Sequence, residues 1–244
     1  MPSNQAVFCD KLSATFRALG LDDLLTGERA AAFYQLYLLL IEENEKYNLT
    51  AITAEDDVIL LHFADSLMGV SLLPAGASVI DVGCGAGFPT LPLAIVRPDL
   101  TVTATDATAK KTAFVAAAAE RLGLTNVRTL TGRAEMLSRD VYRDAFDVAT
   151  ARAVAALPVL LELATPFVRR GGLFLGLKGK SAMEELEASR HAMGELKCKV
   201  KFTMEYKIGE GDAAQGRGIL LLEKTAPTPD TYPRAYARIK SRPL

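Results

Sequence analysis

The stretch Val79-Ile80-Asp81-Val82-Gly83-Cys84-Gly85-Ala86-Gly87-Phe88-Pro89-Thr90 restricts what this chain can fold into more than any other. Val79, Ile80 and Val82 read as a short buried strand, which three alternate glycines then interrupt. Pro89 is tolerated in a first helical turn, and Leu91, Leu93, Ala94 and Ile95 continue at helical spacing. Strand, glycine loop and helix in that order open a nucleotide-binding βαβ unit, where backbone without Cβ atoms turns tightly against a ligand. The dinucleotide fingerprint G-x-G-x-x-G would need a small residue where Phe88 stands.

What stands here instead is G-x-G-x-G preceded by Asp81, a pattern that resembles the S-adenosylmethionine loop of class I methyltransferases. A tight βα turn without a ligand would share it. A second acid narrows the choice. Asp106 closes the run 101–105 and lies 23 residues after Gly83, about the interval at which such folds hold a ribose diol. A solvent-facing aspartate at a strand end is the plainer alternative.

At 244 residues, half of them hydrophobic, the chain can bury a substantial core and is too apolar to be disordered. No apolar run is long enough to span a bilayer, and Met1 to Asp10 lack a basic region leading into an apolar segment. A cytoplasmic protein with no membrane partner is therefore expected. Cys9, Cys84 and Cys198, with His62 and His191, offer neither a disulfide framework nor zinc spacing, so no metal is expected. A formal net charge of −1 leaves any nucleic-acid contact to a local patch.

Residues 5–19 and 28–46 are helical by pattern, and Phe33, Leu36, Tyr37, Leu40 and Ile41 form one apolar face of the second. A further helix begins at Asp56 and carries His62, Asp65 and Ser66; a lone histidine there reads as a surface or satisfied core residue. From Ala77 the chain alternates: strand 78–82, helix 89–96, strand 100–105, then a helix that Thr108 can cap, running to Leu122. Strands 127–131 and 146–150 follow, then helix 156–168, strand 173–177 opened by Gly171-Gly172, and helix 181–195. Strands 199–208 and 217–223 fit an antiparallel hairpin. The expected fold is α/β, a Rossmann-like, mostly parallel sheet with an antiparallel terminal hairpin behind an N-terminal helical cap. Three regions are expected: the cap at 1–75, the core at 76–226 and a basic C-terminal tail at 227–244. Ligands in such sheets bind beyond the carboxyl ends of the strands, where Gly83–Phe88, Asp106, Ala134–Glu135 and Arg152 all fall.

With these residues in view, the chain resembles the GidB family of ribosomal RNA small-subunit methyltransferases. The matching stretches include Tyr47-Asn48-Leu49-Thr50, His62 to Ser66, Asp81 to Pro89, Lys110-Lys111, Arg133-Ala134-Glu135 and Ala151-Arg152-Ala153. Leu177-Lys178-Gly179 and the tail from Tyr232 to Leu244 also match. The resemblance implies S-adenosyl-L-methionine as cofactor and N7 of a guanine in 16S ribosomal RNA as acceptor, on naked RNA or the small ribosomal subunit. It implies that Gly83 and Phe88 line the cofactor, Gly85 and Gly87 shape its loop, Ala134 and Glu135 flank the adenine, and Arg152 lies beside the methionine end or the substrate. Asp106, with Ala107 and Thr108 after it, is the expected ribose side of the cofactor site. Arg152 and Lys178 would stand near the reacting base, and the protein is expected to be a monomer. Cys84, Ala86, Thr90 and Ala151 depart from the residues usual in the family; all are small or loop positions.

Guanine N7 carries a lone pair and no proton, so its methylation needs alignment rather than a general base. The absence of an Asn/Asp-Pro-Pro-aromatic motif, and of a cysteine placed for attack, agrees with that acceptor. N7 is out of reach in the deep groove of A-form RNA, so the target is expected to be unpaired. Lys110, Lys111, Arg152, Lys178, Lys180, Arg234, Arg238, Lys240 and Arg242 are candidates for phosphate contact. The tail has little reason to fold unaided, and its removal is expected to weaken RNA binding while leaving cofactor affinity intact. Two other readings are a nicotinamide-dependent oxidoreductase, disfavoured by Phe88, and a noncatalytic RNA-binding or ribosome-assembly factor.

Overall fold

Short apolar runs alternating with helices fold into one seven-stranded sheet in the computed structural model, which describes residues 3–211 and 214–244. The strands are β1 (Ser78–Val82), β2 (Thr101–Asp106), β3 (Val127–Thr131), β4 (Phe146–Arg152), β5 (Val168–Gly179), β6 (Cys198–Ile208) and β7 (Gln215–Lys224). Their order is β3-β2-β1-β4-β5-β7-β6, with β7 antiparallel to both neighbours and the first five strands parallel. β1 has β2 on one side and β4 on the other, so the chain reverses its direction of travel across the sheet there. That reversal opens a crevice beyond the carboxyl end of β1, where the glycine loop sits.

Helices α1 (Gln5–Ala18), α2 (Gly27–Tyr47), α3 (Glu55–Asp57), a π-helical turn Val58–Ala64 and α4 (Asp65–Leu67) precede the sheet. Helices α5 (Thr90–Val96), α6 (Ala109–Arg121), α7 (Ala134–Leu137), α8 (Leu157–Ala164), α9 (Ala182–Ala188), α10 (Arg190–Glu195) and α11 (Tyr236–Ser241) follow or interrupt it. Consecutive strand side chains point to opposite faces. Val79 accordingly joins one core, with Phe8, Phe33 and Phe63 of the N-terminal helices, while Ile80 joins the other, with Leu160 and Leu161 of α8. None of the helices among the described residues is long and apolar enough to cross a membrane.

The structure departs from the sequence expectation in four places. β5 starts at Val168, not Leu173, and Gly171-Gly172 lie inside it. The pairing with β4 slips between Phe146 and Val148, and a Cβ on Gly172 would come within 2.6 Å of the Asp147 carbonyl oxygen. The glycines thus serve a bulge within the strand. The helix expected over 156–168 stops at Ala164, and Thr165–Phe167 make a 3₁₀ turn around Pro166, which has no N–H to donate. The helix expected over 181–195 divides at Ser189, whose hydroxyl bonds back to the Glu185 carbonyl at 2.6 Å.

The tail is the largest departure. It is folded, ending in α11, with Ile239 buried and Arg234 gripping the buried Glu162 of α8. Arg143 also ties it down by donating to the carbonyls of Thr228 and Tyr232 at 2.6 and 3.0 Å.

Candidate active site

The glycine loop is anchored from beneath. The amides of Gly83 and Cys84 both donate to the Thr105 carbonyl, at 2.8 and 2.9 Å, locking the end of β1 to the end of β2. Gly83 has a φ of +80°, and a Cβ there would lie 2.7 Å from a Val154 methyl. Gly87 has a φ of +85° and faces Leu91, so it closes the loop onto α5 instead of facing a ligand. Cys84 is buried, and burial pushes its thiol well above the ordinary range, so it fills space rather than attacking a substrate.

Three cavities lie in a row across the carboxyl ends of the strands. The first, about 220 Å³, is bordered by Gly83, Asp106, Ala107, Ala134, Glu135 and Tyr236. The second, about 320 Å³, is bordered by Gly83, Gly85, Phe88, Asp106, His62 and Arg152. They meet at Gly83, Asp106 and Val154. The third, about 500 Å³, shares Arg152 with the second and contains Lys178. The candidate residues are therefore brought together, with two exceptions. Gly87 packs on α5, and Thr108 is exposed. Thr108 occupies the N-cap of α6 without a side-chain bond, its amide donating instead to Asp106 Oδ1 at 2.8 Å.

Asp106 is the junction. Its Oδ1 accepts from Thr108 N, its Oδ2 from Gly85 N at 3.2 Å, and Lys111 Nζ stands 3.5 Å away. Beyond it, Arg133 holds Glu135 Oε1 at 2.5 Å and lies 4.3 Å above the Tyr236 ring centroid.

On the other side a polar cluster is built around Arg152. Its Nη1 donates to the Leu61 carbonyl at 2.5 Å and lies 3.4 Å from Asp65, while Nη2 donates to His62 Nδ1 at 2.9 Å. Asp65 also accepts from Tyr206 at 2.9 Å and Arg217 Nε at 3.3 Å. His62 stacks on Phe88, with ring centroids 4.4 Å apart and planes within 7°. Burial, and then the neighbouring Arg152 charge, lower the His62 pKa to about 3, so the ring is neutral at physiological pH. With Nδ1 taken by Arg152, its Nε2–H faces Thr50 Oγ1 at 2.9 Å. It is a satisfied core histidine, and it borders the site. Sequence reading missed Asp65, Tyr206, Arg217, Val154 and Tyr236. The left-handed backbone of Ala153, φ +55°, turns Val154 over the glycine loop, and no residue type announced it.

Asp81, beneath the loop, is fully buried; its Oδ2 accepts from the Thr90 hydroxyl at 2.7 Å and its Oδ1 has no partner among the described residues. Burial raises its pKa to about 6. The folded state then holds this proton at pH values where the unfolded chain has released it, so the contribution of Asp81 to stability declines as pH rises from about 4 to about 6. Asp81→Asn should therefore gain stability relative to the parent across that interval, measured as the difference in urea midpoints. A difference that does not change with pH would contradict this assignment.

The strand order with its antiparallel β7, the glycine loop at the switch point and the acid at the end of β2 define a class I S-adenosylmethionine-dependent methyltransferase. Solved structures agree on the fold. M. jannaschii TYW2 in complex with AdoMet superposes with a TM-score of 0.52 at 17% identity, covering 66% of this chain and 74% of that one. The YcgJ protein of Bacillus subtilis gives 0.52 at 16%, covering 68% and 100%.

Residues 29–212 match the GidB family, described as rRNA small subunit methyltransferase G. Proteins named ribosomal RNA small subunit methyltransferase G from Deinococcus deserti, Deinococcus radiodurans and Desulfitobacterium hafniense are 46%, 44% and 42% identical to it. Those alignments cover 96%, 93% and 90% of this chain and 95%, 88% and 91% of the relatives. The chain belongs to the GidB family of methyltransferases, as the resemblance of its motifs implied. Among the described residues no group of three or more His, Cys, Asp or Glu side chains is placed to hold a metal ion.

Proposed function

We propose that this protein methylates N7 of a guanine in 16S ribosomal RNA, acting as a monomer on the small ribosomal subunit in the cytoplasm. The observation that carries this reading is the row of three cavities, joined first at Gly83 and Asp106 and then at Arg152. The residues suit S-adenosyl-L-methionine. Asp106 offers carboxylate oxygens for the ribose hydroxyls at the junction, and Ala107, Ala134, Glu135 and Tyr236 form the adenine end. Gly85 leaves open space, since a Cβ there would meet no heavy atom closer than 4.0 Å. Gly83, Phe88 and Arg152 then enclose the methionyl end.

When bound, the donor supplies an already activated methyl group. The side chains have only to orient the acceptor and exclude water. The site is consistent with that demand, because His62 is committed at both ring nitrogens and Cys84 is buried. An acceptor atom that must lose a proton would need a base, and neither His62 nor Cys84 is free to serve as one. Guanine N7 has no proton to lose. Lys180, Arg238, Lys240 and Arg242 are exposed and suit phosphate contact.

The test is incubation with unmodified small-subunit particles and labelled donor, followed by mapping of the modified nucleotide. One labelled guanine, carrying its methyl at N7, is the expected result. Label on another atom would overturn the assignment of the acceptor, and RNA binding without transfer would favour the noncatalytic reading.

A further inference from the structure

The third cavity shares only Arg152 with the residues assigned to the donor. Asp65, Arg152, Lys178, Glu185, Gln215 and Arg217 supply its polar walls, and it connects with the glycine-loop cavity through His62, Arg152 and Ala153. At about 500 Å³ it falls within the roughly 300–1,000 Å³ range of small-molecule sites. Three cationic side chains face two carboxylates, so with His62 neutral the lining carries a net positive charge, suited to a base flanked by phosphates.

Most of these charges are occupied by one another. Arg152 and Arg217 both hold Asp65, which also takes the Tyr206 hydroxyl. Lys178 and Glu185 are different. The Lys178 side chain is 7% exposed, and its ammonium donates to the Ala155 carbonyl at 2.7 Å and pairs with Glu185 Oε2 at 2.8 Å. An ammonium has three donors, so one is left over. Glu185 Oε2 accepts from the Leu157 amide at 2.7 Å as well, whereas Oε1 accepts no hydrogen bond from the described residues. The cavity therefore presents a donor directly beside an acceptor.

That order matches one purine and rejects the other. Guanine carries the acceptor O6 next to the donor N1–H; adenine carries a donor amino group next to the N1 lone pair. We propose, resting on the methyltransfer reading above, that Lys178 and Glu185 recognise the Watson–Crick edge of the target guanine, the ammonium donating to O6 and Glu185 Oε1 accepting from N1–H. Adenine would set donor against donor and acceptor against acceptor, and leave both polar groups unpaired beneath the base. N7 lies on the other side of O6 from N1, so this hold leaves it unobstructed.

The experiment compares methyl transfer to small-subunit particles whose target nucleotide is guanosine or 2-aminopurine, which keeps N7 but lacks O6 and N1–H. The wild type should prefer guanosine by about a hundredfold or more in kcat/KM, as expected of a site built to hydrogen-bond its ligand. Lys178→Met/Glu185→Gln should bring guanosine down to the 2-aminopurine rate, with S-adenosylhomocysteine affinity within about twofold of wild type, a ratio small on the tenfold-per-1.4-kcal/mol scale. A double variant that keeps the wild-type preference would overturn the inference. If that variant fails to bind S-adenosylhomocysteine, Glu185→Gln alone enters the same comparison, and an unchanged preference overturns the inference there too. A wild type that prefers neither base refutes base reading while leaving methyl transfer standing. A wild type that transfers nothing to guanosine removes the parent reading, and this one with it.

Discussion

Arg234→Ala is expected to lower the free energy of unfolding by about 3–5 kcal/mol, the usual loss when one partner of a buried ion pair is removed. Glu162 has no solvent exposure, and Arg234 grips it with Nε at 2.9 Å and Nη2 at 2.6 Å while the Arg234 amide adds a bond at 2.7 Å. Without the guanidinium, a buried carboxylate keeps only the amide. Binding should suffer as well, because the same segment carries Tyr236 to the wall of the first cavity, under Arg133. Urea unfolding and calorimetric titration with S-adenosylhomocysteine measure the two effects. Replacing both partners, as in Glu162→Leu/Arg234→Met, should restore much of the stability, since no charge is then stranded. An unchanged urea midpoint in Arg234→Ala would contradict the pairing. An unchanged dissociation constant would show that the tail has no part in the cofactor site.

Asp106→Ala should weaken S-adenosylhomocysteine binding roughly ten- to hundredfold, the equivalent of about 1.5–3 kcal/mol for hydrogen bonds to a charged group. Two mechanisms contribute. The carboxylate borders both of the cavities that meet at it, and it orients the amides of Gly85 and Thr108. Asp106→Asn keeps an acceptor but loses the charge that Lys111 faces at 3.5 Å, so its affinity should fall between those of the parent and the alanine variant. The fold should hold in both, because Asp106 is at a strand end and outside the apolar cores. Full-strength binding by the alanine variant would remove the junction role assigned to this residue.

Much of this site could be read from residue order because its parts are local. A strand, three glycines and a proline over twelve positions dictate a turn, and an acid at the end of the next strand must emerge beside it in a parallel pair. The hairpin of β6 and β7 was legible for the same reason, Gly209 and Gly211 standing between two strand-forming runs. Tyr236 and Arg234 were not. A short segment interrupted by prolines and rich in cations has no internal periodicity, and its fold comes from Glu162, which lies 72 positions away. The bulge in β5 and the division at Ser189 were missed because each depends on a backbone neighbour that composition does not reveal.

The order of residues by itself therefore determined the alternating fold, the loop at the crevice and the acid at its junction, all of which follow from spacing along one or two adjacent elements. Only the tertiary structure decided that Arg152, His62, Asp65 and Arg217 form one cluster and that Lys178 and Glu185 face the next cavity. Asp65 and Arg217 are 152 positions apart, and nothing in the local pattern of either specifies the other. Charges like these are sorted by which strand ends and helix faces the packed core brings together, since a buried cation is stable only where a carboxylate or carbonyl meets it.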